Sequence, residues 1–254
     1  MALKNSAYNL IAKDYHLKRK KPWKDLENFI LYLKNKHYKF FGTSIDLGCA
    51  NGRHFKILST FSEKLIGIDN SNEFLKIAIS QLKNLESPFN ILKSTPQLIL
   101  SDICYLPIRP KSFHNVFSIA TIHHVHTNLE RNKIFSQIYN ILKPGGYCCI
   151  TLWRKFQKKY RFYFIGDLIK RVFSYKYRIK QKEKGLNYFG DKLVSWKISK
   201  DNKTYYRFYH FFSKNEAKKI IKRFKIREFR KFGGPNKKDN FFILAQKRKI
   251  NLNN

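Results

Sequence analysis

Apolar and polar positions follow two periods in turn along this chain. Up to about residue 40 the spacing is helical. A first segment runs to Tyr15, with Asn5 or Ser6 placed to cap it. Pro22-Trp23 opens a second, in which Leu26, Phe29, Ile30 and Leu33 share one face. A basic link, Lys18-Arg19-Lys20-Lys21, joins the two. From residue 44 short apolar runs alternate with helical stretches. Strands are expected at Ser44–Leu47, Lys64–Ile68, Gln97–Leu100, Asn115–Ile119 and Tyr147–Leu152. A helix starts in Arg53–Thr60. Another covers Asn72–Leu85, with Phe74, Ile77, Ala78 and Leu82 on one side, and a third, Asn128–Leu142, is stopped by Lys143-Pro144-Gly145-Gly146. Ser213 caps a helix over Lys214–Phe224. Two last strands, Ile226–Phe232 and Phe241–Gln246, flank Gly233-Gly234-Pro235-Asn236 in a hairpin-like link.

Alternation of this kind predicts an α/β fold with right-handed crossovers: a doubly wound, mostly parallel, seven-stranded sheet covered on both faces. Residues 153–206 break the rhythm. They are very basic, rich in Tyr and Phe, and show no clear strand–helix unit. They read as an insertion before the last helix and strand pair.

Composition changes the picture chiefly through charge. The 254 residues include 52 Lys and Arg against 17 Asp and Glu, a net charge of +35. Such an excess repels itself in the folded state, and a polyanion relieves it. Nucleic acid is therefore favoured over a merely solvated basic surface. Cys49, Cys104, Cys148 and Cys149 lack paired CxxC spacing, so buried reduced thiols are expected rather than a metal site or disulfides. Met1-Ala2-Leu3-Lys4-Asn5 holds no apolar signal region, and no run reaches transmembrane length, so a cytoplasmic protein without membrane contact is expected.

In doubly wound sheets, ligands bind beyond the carboxyl ends of the strands, at the switch point. Three such ends carry suitable chemistry. Gly48-Cys49-Ala50-Asn51-Gly52 follows the first strand, and its small residues allow close backbone approach. Asp69, followed by Asn70, ends the second and can accept from both hydroxyls of a ribose. Asp102 follows the third and can accept from an adenine amino group, with Ile103 over the ring. The turn is G-x-x-x-G, without the dinucleotide phosphate fingerprint. A ligand with ribose and adenine but no pyrophosphate fits better than NAD.

With Asp46-Leu47-Gly48-Cys49-Ala50-Asn51-Gly52, Asp69, Asp102 and Pro144-Gly145-Gly146 in order, the chain resembles the class I methyltransferases, which use S-adenosylmethionine. A narrower resemblance covers nearly the whole chain. It is similar to the tRNA wobble-uridine methyltransferases that esterify 5-carboxymethyluridine. The matching elements are Tyr8-Asn9-Leu10-Ile11-Ala12-Lys13-Asp14-Tyr15, Arg19 with Pro22-Trp23, Ser118-Ile119-Ala120-Thr121-Ile122-His123-His124, Arg207-Phe208-Tyr209-His210 and Asp239-Asn240-Phe241. Ala50 stands where Gly is common and Phe241 where Trp is usual. The resemblance implies one domain over 1–254, with a helical cap at 1–40, a cofactor-binding core at 44–152, a basic substrate insertion at 153–206 and the end of the sheet at 207–247. It implies cofactor contacts from Arg19, Asp46, Gly48, Cys49, Asn51, Gly52, Asp69, Asn70, Asp102, Ile103 and Ala120. Acceptor-side roles fall to Arg207, Tyr209, His210, His123 and Asn240. For Trp23 the plainer alternative to a role in this element is a core anchor for the N-terminal helix. Ala50 is expected at negative φ.

Esterifying a carboxylate needs no general base, because the group is already ionised at neutral pH. It needs a carboxylate oxygen held in line with the sulfonium methyl. Arg207 can grip a carboxylate bidentately. The insertion interleaves Lys155, Lys158, Lys159, Arg161, Lys170 and Arg171 with Phe156, Tyr160, Phe162 and Tyr163, a mixture suited to phosphates and unpaired bases of an anticodon loop. Phe162, Ile165, Leu168 and Ile169 recur at helical spacing, which suggests a small helical lid with part of these residues in its core. Relatives of this kind work with a small zinc-binding activator protein, and Leu98-Ile99-Leu100 offers it a strand edge. Two rival readings remain: a methyltransferase acting on a small molecule or quinone, and a non-catalytic RNA-binding protein on the same fold.

Overall fold

The computed structural model describes residues 6–85 and 94–249. Asn5 and the rest of the Met1–Asn5 stretch lie outside them, as does 250–254. Helix α1 spans Ser6–Lys18 and α2 spans Lys24–Asn35. Leu26, Phe29, Ile30 and Leu33 of α2 are all buried, as their spacing predicts. The alternating core follows: β1 (Thr43–Leu47), α3 (Phe55–Ser59), β2 (Lys64–Asp69), α4 (Asn72–Leu85), β3 (Gln97–Leu100), β4 (Phe113–Ser118), a short 3-10 turn (Ile122–His124), α5 (Asn128–Ile141) and β5 (Leu142–Trp153). Thr127 and Glu130 form a capping box that starts α5. Helix α5 passes straight into β5, so the Lys143–Gly146 stretch belongs to the strand rather than to a preceding loop.

The insertion is more regular than its composition suggests. It forms α6 (Arg161–Phe173), α7 (Tyr175–Glu183) and a hairpin of β6 (Asp191–Lys197) with β7 (Thr204–His210). Residues 207–210 therefore pair with 191–194 in a separate two-stranded sheet, not with the main sheet. Helix α8 (Lys214–Ile220) is shorter than its apolar pattern and starts at a capping box of Ser213 and Glu216. Strands β8 (Lys225–Phe232) and β9 (Asn240–Gln246) close the chain.

The main sheet has seven strands in the order β3-β2-β1-β4-β5-β9-β8. Strands β1 to β5 run parallel, and β9 pairs antiparallel with both neighbours. This is the doubly wound, mostly parallel α/β arrangement expected. One apolar layer packs α5 and α8 on the sheet through Ile134, Ile138, Ala217 and Ile221. The other packs α2, α3 and α4 through Phe29, Leu33, Phe55 and Ala78. The insertion has a small core of its own, Tyr160, Phe164, Tyr209 and Phe211. All four cysteines are buried and free. Strand β3 is an outer strand of the sheet, so Leu98–Leu100 does present an edge. Among the described residues no helix is long and apolar enough to cross a membrane, and no group of three metal-ligating side chains occurs.

Candidate active site

Strand order reverses at β1, which pairs with β2 on one side and β4 on the other. A cleft of about 1650 Å³ opens there. It exceeds the several hundred Å³ that one small ligand fills, so it has room for a cofactor and an acceptor together. Its floor comes from the strand ends: Gly48, Cys49 and Ala50 after β1, Asp69 and Asn70 after β2, Asp102 and Ile103 near β3, and Ala120, Thr121 and His123 to His126 after β4.

The turn after β1 departs from expectation at one residue. Ala50 sits at φ 49, in the left-handed region, not at negative φ. The cause is a hydrogen bond: this backbone conformation aims the Ala50 N–H at Asp69 Oδ2, 2.8 Å away. The other oxygen, Oδ1, accepts from Ser71 N–H at 2.9 Å. Asp69 is thus held rigid, with lone pairs left over toward the cleft. Burial lifts its carboxyl to about 6, against the pull of the Ser71, Ala50 and Asn70 amides. Asp102 is braced in the same way, Oδ1 accepting from Cys104 N–H at 2.8 Å.

Three residues assigned to the cofactor do not reach the cleft. Asp46 is buried beneath the turn, and neither carboxylate oxygen has a hydrogen-bond partner. Burial, then the nearby Asp69 charge, hold it at about 7, with Arg53 pulling the other way. Asn51 turns its amide to the Arg19 carbonyl and to His16, both at 3.1 Å, tying the exit of α1 to the turn. Gly52, at φ 72, lies against the Phe55 ring, where a Cβ would collide. These residues shape the floor instead of lining it. Arg19 lines the mouth, exposed, with its guanidinium on the Lys18 carbonyl at 3.0 Å.

The far end of the cleft is aromatic and carries one buried cation. Arg207, on β7, is 7% exposed. Its guanidinium lies over the Trp196 ring at 4.6 Å and near Tyr209 at 5.1 Å. Its Nε has no hydrogen-bond partner, and among the described residues no carboxylate pairs with it. His123 stacks on Tyr209, with ring centroids 5.0 Å apart. His124 Nδ1 meets the Tyr8 hydroxyl at 2.7 Å. Burial, with the neighbouring His124 and Arg207, pushes His123 well below the usual imidazole range, and burial with Arg207 takes His124 to about 3. Both rings are neutral at pH 7. Asn240, at the start of β9, also lines this end.

His210 does not line the cleft. It faces a buried polar cluster, with Nδ1 on Asp191 Oδ1 at 2.7 Å and Glu216 3.9 Å from Nε2. It steadies β7 from behind. Trp23 serves as an anchor, its ring packed on Phe242 and its Nε1 donating to Asp25, which also accepts from Gly234 N–H, and it lines the cleft as well.

The N-terminal stretch proves to be a clamp as well as a cap. Tyr8 reaches His124, Asn9 accepts from the Ser71 hydroxyl at 2.6 Å, and Ile11 and Ala12 are fully buried. Asp14 accepts from Trp196 Nε1 at 2.7 Å and Ser199 N–H at 2.8 Å. Individual roles for Tyr8, Asp14, Trp153, Trp196 and Asp191 escaped the sequence reading. The unusual density of polar and aromatic residues in Tyr8–Tyr15 was the available signal.

The residues present fit a cofactor with ribose and adenine. Two braced carboxylates, Asp69 and Asp102, end on the cleft beside the turn that carries Gly48. Residues 45–150 match the methyltransferase domain family. The mouse tRNA (carboxymethyluridine(34)-5-O)-methyltransferase ALKBH8 is 28% identical over 150 residues, 59% of this chain and 19% of that protein. The Saccharomyces cerevisiae tRNA (carboxymethyluridine(34)-5-O)-methyltransferase is 28% identical over 149 residues, 59% of this chain and 47% of its own length. The chain thus spans less than half of these curated relatives. Among solved structures, an S-adenosylmethionine-dependent methyltransferase of Methanosarcina mazei has the same fold, with TM-score 0.66 and 19% identity, covering 91% of this chain and 100% of that one. Residues 45–150 match the methyltransferase domain family, and the chain as a whole has the fold of S-adenosylmethionine-dependent methyltransferases of known structure.

Proposed function

We propose that this protein methylates the carboxylate of 5-carboxymethyluridine at the wobble position of tRNA. One observation carries the reading: a buried arginine, Arg207, faces the cleft with its Nε unpartnered and no carboxylate among the described residues paired with it. A buried unpaired cation is costly, and an anionic acceptor offsets that cost on binding. The weak bases around it point the same way. His123 and His124 are too far below the usual imidazole range to deprotonate a hydroxyl efficiently. An acceptor that is already ionised needs no such help.

Asp69 would hold the ribose hydroxyls, Asp102 the adenine amino group with Ile103 over the ring, and Gly48, Cys49 and Ala120 would leave room for the rest. When bound, S-adenosylmethionine would supply an electrophilic methyl to the carboxylate oxygen, with the thioether as leaving group and no proton to remove. Arg207 orients that carboxylate, Trp196 and Tyr209 fix the guanidinium, and Asn240 closes the same end. The wall of Tyr8, His123, His124 and Trp153 excludes water. The cleft's mouth carries Lys18, Arg19, Lys20, Lys21, Lys24, Lys158 and Lys159, which suits a phosphate backbone.

The test is transfer of labelled methyl to tRNA bearing carboxymethyluridine, read by nucleoside mass spectrometry, with and without a zinc-binding activator protein. Arg207→Ala should keep cofactor affinity within about twofold and lose at least about a hundredfold in transfer, the scale of one removed positioning contact. Transfer to small-molecule acceptors alone would refute the reading. So would an Arg207→Ala enzyme that loses cofactor binding.

A further inference from the structure

Helix α6 buries Phe164 in the insertion's core, yet leaves most of its apolar side chains outward. Its polar Asp167 is buried, bonded to Arg171 at 2.8 Å and to the Tyr177 hydroxyl at 2.9 Å. Its outward face is apolar: Phe162 is 79% exposed, Ile165 46%, Leu168 43%, Ile169 52%, Val172 60% and Phe173 83%. At about 100° per residue these six positions share a single broad arc. Tyr175 and Ile179 of α7 are exposed in the same segment. Soluble monomers rarely leave so continuous an apolar surface bare, and when they do it marks a contact. The exposed charges of this segment are predominantly positive. Arg161, Lys170, Lys176, Lys180, Lys182 and Lys184 are exposed, and the only exposed acid between 161 and 184 is Glu183.

We propose that the α6 face is a docking surface for an acidic protein, which receives Phe162, Ile165, Ile169 and Val172 in an apolar groove bordered by carboxylates. The spacing of these residues is that of helix-in-groove recognition. The cationic border selects the occupant. A second copy of this chain would bring the same cations against one another. Nucleic acid would satisfy the lysines but leave Ile165, Leu168, Ile169 and Val172 against phosphate and sugar, since aliphatic side chains offer bases no face to stack on. An anionic bilayer drawn to these cations would also lie across the neighbouring mouth, where Lys158 and Lys159 stand three and two residues before α6. The surface is separate from the β3 edge, and the proposal does not depend on which acceptor the cleft takes.

The test places a photo-crosslinking residue at Phe173 of the full chain, in the cells that make it, and identifies the adduct by mass spectrometry. The expected adduct is one acidic protein. Purified, that protein should bind the wild-type chain with an affinity that falls as salt rises. Ile169→Glu and, separately, Lys170→Glu/Lys176→Glu should each weaken binding at least about tenfold. These positions are exposed, and unchanged circular dichroism together with unchanged cofactor affinity checks that the variants fold. An adduct with RNA, lipid or a second copy overturns the proposal, as does the absence of any adduct. Unaltered affinity of both variants overturns it too. Parallel titrations with total tRNA and with phosphatidylcholine–phosphatidylserine vesicles separate the first two outcomes: binding that Ile169→Glu abolishes in either one counts against a protein partner.

Discussion

Ala50 shows what a single residue in the turn after β1 costs. A non-glycine residue at φ 49 has Cβ crowded against its own backbone, at about 1–2 kcal/mol. Glycine removes that strain but loses more chain entropy on folding, about 0.5–1 kcal/mol. Ala50→Gly should therefore stabilise the protein modestly, by about 0.5–1 kcal/mol, visible as a rise of about 1–4 °C in thermal unfolding. Cofactor affinity should stay within about twofold, because the contact that matters is the backbone N–H to Asp69. A clear loss of stability would mean that the left-handed turn is not present in solution. Asp69 itself gives the pH signature. Its carboxyl is lifted to about 6, above the unfolded value, so the folded protein holds an extra proton between about pH 4 and 6. Stability from this group is therefore greater at low pH and declines as pH rises through 6. Ribose hydroxyls favour the ionised form, so cofactor affinity should run the other way. It should rise with pH up to about 6 and then level, with proton release on binding. Calorimetry in buffers of different ionisation enthalpy measures that release, and Asp69→Asn should abolish it.

At the scale of elements, the strands were legible because the central ones are covered on both faces, which leaves near-continuous apolar runs such as Tyr147–Leu152 and Phe241–Gln246. The hairpin of β6 and β7 was not. Its faces mix Lys192, Ser195, Arg207 and several aromatics, because one side meets the cleft rather than a core. Helix α6 was half legible. Periodicity says that Phe162, Ile165 and Ile169 share a side, not which way that side points. The strand-end acids Asp69 and Asp102 could be placed at the cleft from the sequence because a local turn presents them. Tyr8–His124 and Asp14–Trp196 could not, since they join positions 116 and 182 residues apart. Asp14 is the element-scale hinge. Lys18 and the Ser199 and Trp196 donors outweigh burial and bring it to about 2, so the stability it adds is present above about pH 4 and lost as pH falls toward 2. Asp14→Ala strands the Trp196 and Ser199 donors and should cost about 2 kcal/mol. Hydrogen exchange should quicken in 6–18 and 191–210 while β1, β4 and β5 stay protected. Equal loosening of the central sheet would show that the clamp is not a separate unit.

For the whole molecule, the question is whether a charge of +35 acts as a diffuse field or through a defined track. The cleft's mouth gathers Lys20, Lys21, Lys158 and Lys159 from two distant parts of the chain. Lys218, Lys219, Lys222 and Lys225, on and after α8, do not border it. A diffuse field would make the two sets equivalent. A track would not, because only cations that displace condensed counterions contribute to the salt slope, about 0.7–0.9 per phosphate contact. Replacing the four mouth lysines by Gln should thus flatten the dependence of log affinity for tRNA on log salt by about 3. The four α8-side lysines should change it by less than about 1. Cofactor affinity should be unmoved in both, since neither set touches Asp69 or Asp102. The magnitude matters because both variants lose the same net charge. If their slopes fall equally, the basic surface steers RNA toward the protein without guiding it into the cleft, and the acceptor must then be presented by some other contact. If only the mouth set responds, the excess of lysine becomes a path from the phosphate backbone to Arg207.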